Sequence, residues 1–411
     1  MEMKYYPRLV TDKLQRALKS FPVVIIGGAR QTGKSTIVRK DPLFQKRPYF
    51  TCDDPQTLLS MKSSGTEFLN SSPQMTIDEA QRIPEIFLTL KYIVDENRIH
   101  GRFLISGSAQ FLLLRKLGDS LAGRAAYIRL MPVTIHELLG RCEQPSLYTL
   151  FEKNGISKIA DSGVPDWNPD WLIRGGFPEP AWDKSIDVRL WFSAYEATYL
   201  DRDLRDLSSN IDPLTYQRFL RVAASRNGML MNQADIAQAA GLNNVTCGRY
   251  IHLLETSGLI SRIYPWHANS SKRWVKSPRL LFADVALAAH LAGTYQALPD
   301  HKHTFFGQHM HSLVLQNIAA LVEAHGSGAM KLFHCRSSDG MEVDAVVEYD
   351  GRQIVIEIKS ADRVDSGDGK NLRKFLELNP GCILGIVAYR GKRILTIGKN
   401  IIAIPLSLVL N

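Results

Sequence analysis

The stretch Ile25–Thr36, IIGGARQTGKST, limits the fold of this chain more than any other part of it. It overlaps the apolar run Val23–Ile26 and carries G-x-x-x-x-G-K-[ST] from Gly28 to Ser35. A loop of this kind, entered from a strand and left by a helix, turns successive backbone N–H groups inward. Its glycines remove the Cβ atoms that would keep phosphate oxygens away. The pattern therefore predicts that Gly28, Ala29, Arg30, Gln31, Thr32, Gly33, Lys34, Ser35 and Thr36 wrap the phosphates of a nucleotide such as ATP. Lys34 would reach the β- and γ-phosphates. Ser35 would hold Mg²⁺ while opening a helix whose N-terminal dipole favours anions. A plain glycine turn is the competing explanation, and the complete motif in strand–loop–helix order outweighs it.

A phosphate cradle alone does not hydrolyse anything. Hydrolysis also needs a carboxylate for the metal and a group that activates water. The short apolar run Met75–Ile77 ends in Asp78-Glu79. Asp78 at the strand end would hold the Mg²⁺ shell, and Glu79 would act as general base. The next strand, FLISGS (103–108), ends in hydroxyls, so Ser106 or Ser108 would orient water or sense the γ-phosphate; strand-end serines also commonly cap the following helix. A cation at the γ-phosphate would come from Arg30 in the loop or from Arg124 in LAGR (121–124), acting within the chain or from a neighbouring copy in a homo-oligomer.

At 411 residues the chain is too long for one ordinary core. From about residue 20 to 140, the apolar runs Val23–Ile26, Tyr49–Cys52, Met75–Ile77, Arg102–Ile105 and Ala125–Leu130 alternate with helical patterns, which predicts an α/β domain with a parallel sheet. The expected order is a P-loop domain at 1–140, a helical connector at 141–213, a winged-helix domain at 214–295 and a further α/β domain at 296–411. The connector holds a polar, Pro- and Trp-containing interruption near Asp161–Trp171. The cysteines Cys52, Cys142, Cys247, Cys335 and Cys382 are dispersed with no C-x-x-C pair, which argues for reduced thiols and against a zinc ribbon. No apolar run approaches the ~20 residues of a membrane span. The N-terminus also lacks the apolar core of a secretory signal. A cytoplasmic protein without a membrane segment is the expectation.

The net charge of +9 is unevenly placed. Residues 214–280 hold nine Lys or Arg against two acids, Asp235 and Glu255. Within them, Asn232 would cap a helix Gln233–Ala240, Gly241 would allow a turn, and Asn243-Asn244 would cap a second helix reaching Thr256. Ala237, Ala240, Leu242, Val245, Ile251 and Leu254 would face its small core. This is a helix-turn-helix pattern, with the basic run Ser270–Lys276 as a wing. Thr246, Arg249 and Tyr250 on the second helix, with Lys272 and Arg273, are the candidate contacts to double-stranded DNA. Such modules also serve as protein contacts or spacers.

The segment EVDAVVEYDGRQIVIEIKS (342–360) sets its own register. Asp350-Gly351 forms a two-residue turn between alternating strands. Pairing outward from it puts Asp344 opposite Glu357 and Glu342 opposite Lys359, with Val343, Ala345, Val347, Ile354, Ile356 and Ile358 on the other face. A slip by one would break this pattern. Facing carboxylates repel unless a cation lies between them. Asp344 and Glu357 sharing Mg²⁺, with Lys359 at a phosphate or a water, is a nuclease-like arrangement. A solvated, self-neutralised hairpin face is the alternative. The histidines His301, His303, His309 and His311 fit no standard metal spacing and are expected at the surface.

The runs IIGGARQTGKST, TIDEAQ, FLISGSAQ, LAGR and LMPVTIHEL resemble the AAA-like ATPase domain of a large prokaryotic family that pairs it with a C-terminal region long called a domain of unknown function. GGFPEP (175–180), TYLDRDL (198–204) and KSPRLLFADVALAAHL (276–291) extend the resemblance over nearly the whole chain. It implies an ATPase core, a winged-helix segment and a fold like the PD-(D/E)XK nucleases. Family members commonly carry a glutamate before the hairpin, in G-x-x-x-E. Here the stretch is Gly307–His311, with histidine in that place. The resemblance implies ATP hydrolysis coupled to nucleic-acid handling, with a nucleotide-switched protein-binding module as the alternative. A small-molecule kinase fits less well, because Asp78-Glu79 resembles a hydrolytic pair.

Overall fold

The computed structural model describes residues 5–107, 121–141, 144–153, 155–161, 163–207, 212–268, 277–325, 328–337 and 340–411, with backbone alone at 160–161 and 199–207. The chain forms two compact units. The first is built mainly from residues up to Pro132, and the second runs from Val133 to Ile251, from Ile260 to Val322 and from Ser327 to Asn411.

In the first unit, β1 (Val23–Gly27), β2 (Tyr49–Thr51), β3 (Met75–Asp78), β4 (Phe103–Ser106) and β5 (Ala125–Arg129) form a sheet in the order β2-β3-β4-β1-β5. Every pairing is parallel. These strands match the expected runs because each is a short apolar segment closed by polar residues. Alternation then loads both faces. Val23, Ile25, Ile77, Phe103 and Ile105 meet Leu90 and Ile93 on one side. Val24, Ile26, Leu104 and Ile128 meet Ile37, Val38 and Leu14 on the other. A parallel sheet covered on both sides reads as continuous hydrophobic strands, as these do. The central strand β1 delivers its C-terminal end, and the glycine loop, between those of β4 and β5.

The second unit carries an eight-stranded mixed sheet. Its strands are β6 (Ile260–Pro265), β7 (Arg279–Phe282), β8 (Lys331–Arg336), β9 (Glu342–Tyr349), β10 (Arg352–Ile358), β11 (Cys382–Tyr389), β12 (Leu395–Gly398) and β13 (Ile401–Pro405), in the order β12-β13-β11-β10-β9-β8-β6-β7. The separation expected at 295/296 is not a break in this sheet. Tyr264 and Pro265 of β6 pair in parallel with Phe333 and His334 of β8, so the β6–β7 hairpin is the sheet's own edge. The expected segments 141–213, 214–295 and 296–411 belong almost wholly to this one unit.

The helices Gln233–Ala240 and Asn244–Thr256 form where expected. The Asn232 side chain accepts from the Ala234 and Asp235 amides, and Asn243 Oδ1 accepts from Thr246 N at 2.8 Å. Two assignments on the second helix change. Val245, expected inside, is 84% exposed, and Tyr250, expected to face DNA, is only 3% exposed. Cys247, Tyr250, Ile251 and Leu254 form the buried stripe, following the 3.6-residue period from Cys247. Tyr250 packs edge-on against Tyr216 and Phe219 of the earlier helix Pro213–Ser225.

The conserved-looking words of the second unit are largely structural. Asp284 caps the helix Val285–Leu291 and is fully buried; its Oδ2 also accepts from Gly176 N at 2.6 Å, tying GGFPEP to FADV. Burial pushes the Asp284 carboxyl up to about 6 against the pull of these amides. Thr134 and Glu137 of LMPVTIHEL form a reciprocal capping box.

Candidate functional site

The first candidate site stands at the C-terminal ends of β1, β3 and β4. Gly28 has φ +152°, and a Cβ there would lie 2.3 Å from the carbonyl oxygen of Leu130. Only glycine fits that approach. Gln31 at φ 60° and Gly33 at φ 95° complete the reversal. Arg8 fastens the loop from behind, donating to the carbonyls of Thr32 at 2.9 Å and Met131 at 2.7 Å. Lys34 is buried, and its ammonium donates to the carbonyls of Gly28 at 3.1 Å and Ala29 at 2.7 Å. These are interactions that phosphate oxygens would replace. Arg30 and Ser35 are half-buried, while Gln31 and Thr36 are exposed.

Asp78 closes β3 and is buried. Ser106, at the end of β4, donates to Asp78 Oδ1, and the Tyr49 hydroxyl donates to Asp78 Oδ2 at 2.7 Å. Burial, and then Asp78 itself, raise the Tyr49 pKa and keep it a donor. Two neutral donors thus orient a carboxylate without cancelling its charge, as a metal-shell ligand requires. Glu79 follows in the left-handed region, at φ 54° and ψ 36°. A non-glycine residue held there stores strain, a frequent mark of working sites. The Gln81 amide donates to Glu79 Oε2 and steadies it. Loop, buried carboxylate and the adjoining glutamate fit a nucleotide with its Mg²⁺.

Ser106 joins this group; Ser108 lies outside the described residues. Arg124 does not join it within the chain. Val23 of β1 is level with Ala125 of β5, so Arg124 sits at the sheet edge opposite the loop. There it forms a two-pronged pair with Asp95, at 2.5 and 2.9 Å.

The second candidate site lies on β9 and β10. Asp350 at φ 47° and Gly351 at φ 76° make the expected turn. The register runs Tyr349↔Arg352 through Ala345↔Ile356, which points Asp344 toward Glu357. The carboxylate face is not solvated, since Val346 and Val355 on it are fully buried with Leu372 and Phe375. Asp344 Oδ2 accepts from Ile358 N at 2.8 Å, and Oδ1 lies 3.0 Å from His311 Nε2 and 3.8 Å from Arg279. Burial opposes ionisation of Asp344, but His311, the Ile358 amide and Arg279 outweigh it and hold the carboxyl below its usual range. Glu357 accepts from Lys359 at 3.0 Å. Burial and the Asp344 charge push Glu357 up to about 7.

Glu342 does not reach Lys359 as the hairpin alone suggested. Arg279 of β7 takes it at 2.7 Å, while Lys359 has Glu357 and, at 3.9 Å, Asp368. The two strands diverge past Ala345↔Ile356, and neighbouring elements supply the partners. The histidines are not all at the surface either. His309 is buried, with Nε2 3.0 Å from the Thr294 hydroxyl, and His311 faces Asp344. Among the described residues, no group of three His, Cys, Asp or Glu side chains is arranged to hold a metal ion. Arg279 and Tyr49 are participants that sequence reasoning missed, whereas His311 holds the place where the resemblance puts a glutamate. Arg279 lies within the family-like run KSPRLLFADV, which was its one signal.

On the helix Asn244–Thr256, Arg249 and Val245 are exposed and Thr246 is half-exposed, beside the exposed Asn243 and Asn244. Lys272 and Arg273 lie outside the described residues. Among the described residues no helix is long and apolar enough to cross a membrane.

Comparison with known proteins divides the chain three ways. Residues 20–139 match the model of an AAA domain, 166–297 a domain of unknown function (DUF8612), and 306–409 another domain of unknown function (DUF4143). Uncharacterized proteins of Mycobacterium tuberculosis and Mycobacterium bovis are 29% identical over 399 residues, spanning 97% of this chain and 83% of theirs. Among solved structures, a Walker-type ATPase of Pyrococcus abyssi aligns with 69% of this chain and 94% of its own, at 15% identity and a TM-score of 0.42. A signal-transduction ATPase of Pyrococcus horikoshii aligns with 79% of this chain and 47% of its own, at 12% identity and a TM-score of 0.27. Residues 20–139 are thus an AAA-type P-loop domain, and the chain continues into a C-terminal region of the DUF4143 type.

Proposed function

We propose that this protein is a Mg²⁺-dependent ATPase whose hydrolysis is coupled to binding and processing of double-stranded DNA. The observation that carries the ATPase is the placing of Lys34 after β1 and of Asp78 and Glu79 after β3, on either side of β4 at the same end of the sheet, with Asp78 oriented by Tyr49 and Ser106. Lys34 holds the β- and γ-phosphates, Ser35 and Asp78 hold the metal shell, and Glu79 takes the proton of the attacking water. Arg124, far from the loop of its own chain, acts on the nucleotide of a second copy. The scattered, buried thiols of Cys52, Cys247, Cys335 and Cys382 favour the cytoplasm.

The DNA partner rests on the basic 214–280 segment and on the exposed Arg249, Thr246, Asn243 and Asn244 of a winged helix completed by β6 and β7. The processing step rests on Asp344, Glu357 and Lys359 as a PD-(D/E)XK-like set. A second reading is favoured by one observation: His311 and Arg279 already stand against Asp344 Oδ1, at 3.0 and 3.8 Å. The C-terminal fold would then be catalytically silent, and the chain a nucleotide-switched module that binds a partner protein. Incubating the protein with linear duplex DNA and Mg²⁺ or Mn²⁺ separates the two. Cleavage that Asp344→Asn abolishes supports the nuclease; intact DNA at millimolar metal leaves the silent fold.

A further inference from the structure

Beside the carboxylate pair lies a cavity of about 290 Å³ that no role above uses. Its apolar wall comes from Leu172 and Leu298, both fully buried, and from the half-buried indole of Trp167. Phe306 also lines it, with the Arg390 guanidinium over the ring, 5.4 Å from the centroid. Asp362 stands at the rim and accepts from Arg390 Nε and Nη2 at 2.9 and 2.7 Å, both through Oδ1. Among the described residues, Asp362 Oδ2 accepts no hydrogen bond and Arg390 Nη1 donates none. A carboxylate oxygen of Asp362 and the Arg390 Nη1 donor are therefore both available among the residues that line this cavity.

The backbone ties this slot to the neighbouring site. Beyond the ladder, Lys359 N donates to Ala388 O at 2.8 Å and Arg390 N to Ala361 O at 3.0 Å. The ends of β10 and β11 thus run together from Glu357 and Lys359 out to Asp362 and Arg390. Phe306 opens the same helix, Phe306–Ala324, that sets His311 against Asp344.

We propose that this cavity receives one unstacked nucleobase of a strand whose phosphate lies at Lys359. A base is flat and apolar on its faces, which suits Trp167 and the Leu172–Leu298 floor. Every base also presents donors and acceptors on its edges, which Asp362 Oδ2 and Arg390 Nη1 are chemically suited to meet. Stacking of this kind tolerates sequence, so the slot reads the presence of a base and not its identity. The proposal rests on the nucleic-acid reading above and adds a demand for locally unpaired strand.

The test uses the full chain and short fluorescein-labelled single strands, one with bases throughout and one with abasic sites at every second position, followed by anisotropy. The base-bearing strand binds about tenfold more tightly. Trp167→Ala removes that difference, and Asp362→Asn reduces it, while both variants keep the wild-type melting temperature and affinity for duplex DNA. Equal affinity for the two strands in wild type overturns the slot, as does an unchanged difference in Trp167→Ala. A chain that binds no duplex DNA but whose tryptophan fluorescence still responds to free dAMP, through Trp167, would sink the nucleic-acid reading and keep the base site. Absence of both responses overturns both.

Discussion

The Lys34 ammonium donates to the carbonyl of Ala29 at 2.7 Å, within the loop that it is expected to serve. The lysine is thus pre-positioned by its own backbone, and on the proposed function phosphate oxygens would take over from the carbonyls when nucleotide enters. Lys34→Ala should lose most of its affinity for ATP by isothermal titration. Glu79→Gln should bind ATP as wild type does and hydrolyse it roughly 100- to 10,000-fold more slowly. Unaltered turnover in that variant would remove Glu79 as the base.

The glycine loop is also constrained from within. A Cβ at Gly28 would meet Leu130 O at 2.3 Å, in a backbone conformation that side chains rarely adopt. Gly28→Ala should therefore cost about 1–3 kcal/mol of stability and reduce ATP affinity together. Denaturant melts with and without nucleotide check this. A variant of wild-type stability with full affinity would show that the loop yields easily.

On the helix Asn244–Thr256, burial separates two residues one position apart. Tyr250→Ala should destabilise the protein by about 3–5 kcal/mol, because its ring sits among Tyr216 and Phe219. Arg249→Ala should leave the melting temperature within a degree or so and lower both duplex-DNA affinity and its salt slope. An unchanged slope would place the DNA contact elsewhere.

Much of this was legible from local pattern. The five parallel strands, both helix caps at Asn232 and Asn243, and the Asp350-Gly351 register follow from short-range alternation and turn chemistry. Tyr250 was misplaced because a polar-tipped aromatic suits a groove and a core equally; only the packing against a helix thirty residues earlier decides. Of the partners of Asp344, Arg279 was beyond reach for a related reason: it arrives from another strand, and spacing along a chain does not encode such meetings. His311 stands where the resemblance puts a glutamate, and the fold brings it against Asp344. Val346 and Val355 did carry a signal: apolar residues on the carboxylate face mark a hairpin buried on both sides.

Acidity offers a further handle on that pair. Burial and Asp344 raise the Glu357 carboxyl from its ordinary 4.5 to about 7 in the folded protein. Between those values the folded state binds the extra proton. This contribution to stability is fully present below about 4.5 and is lost as pH rises through 7. Asp344, shifted downward, acts only at the acid end, where its contribution is lost as pH falls through its depressed pKa. Glu357→Gln should thus melt higher than wild type at pH 8, with the gap closing toward pH 5. A gap independent of pH would mean that Glu357 is not the titrating group.

The central claim is that Asp78 and Glu79 hydrolyse ATP in response to DNA. The most direct measurement is the steady-state ATPase rate of the purified protein with Mg²⁺, with and without duplex DNA, at low salt. Turnover should require Mg²⁺, rise several-fold with duplex, lose that rise as salt increases, and disappear in Glu79→Gln. Turnover that is absent under all these conditions, or that DNA leaves unchanged, would contradict the claim.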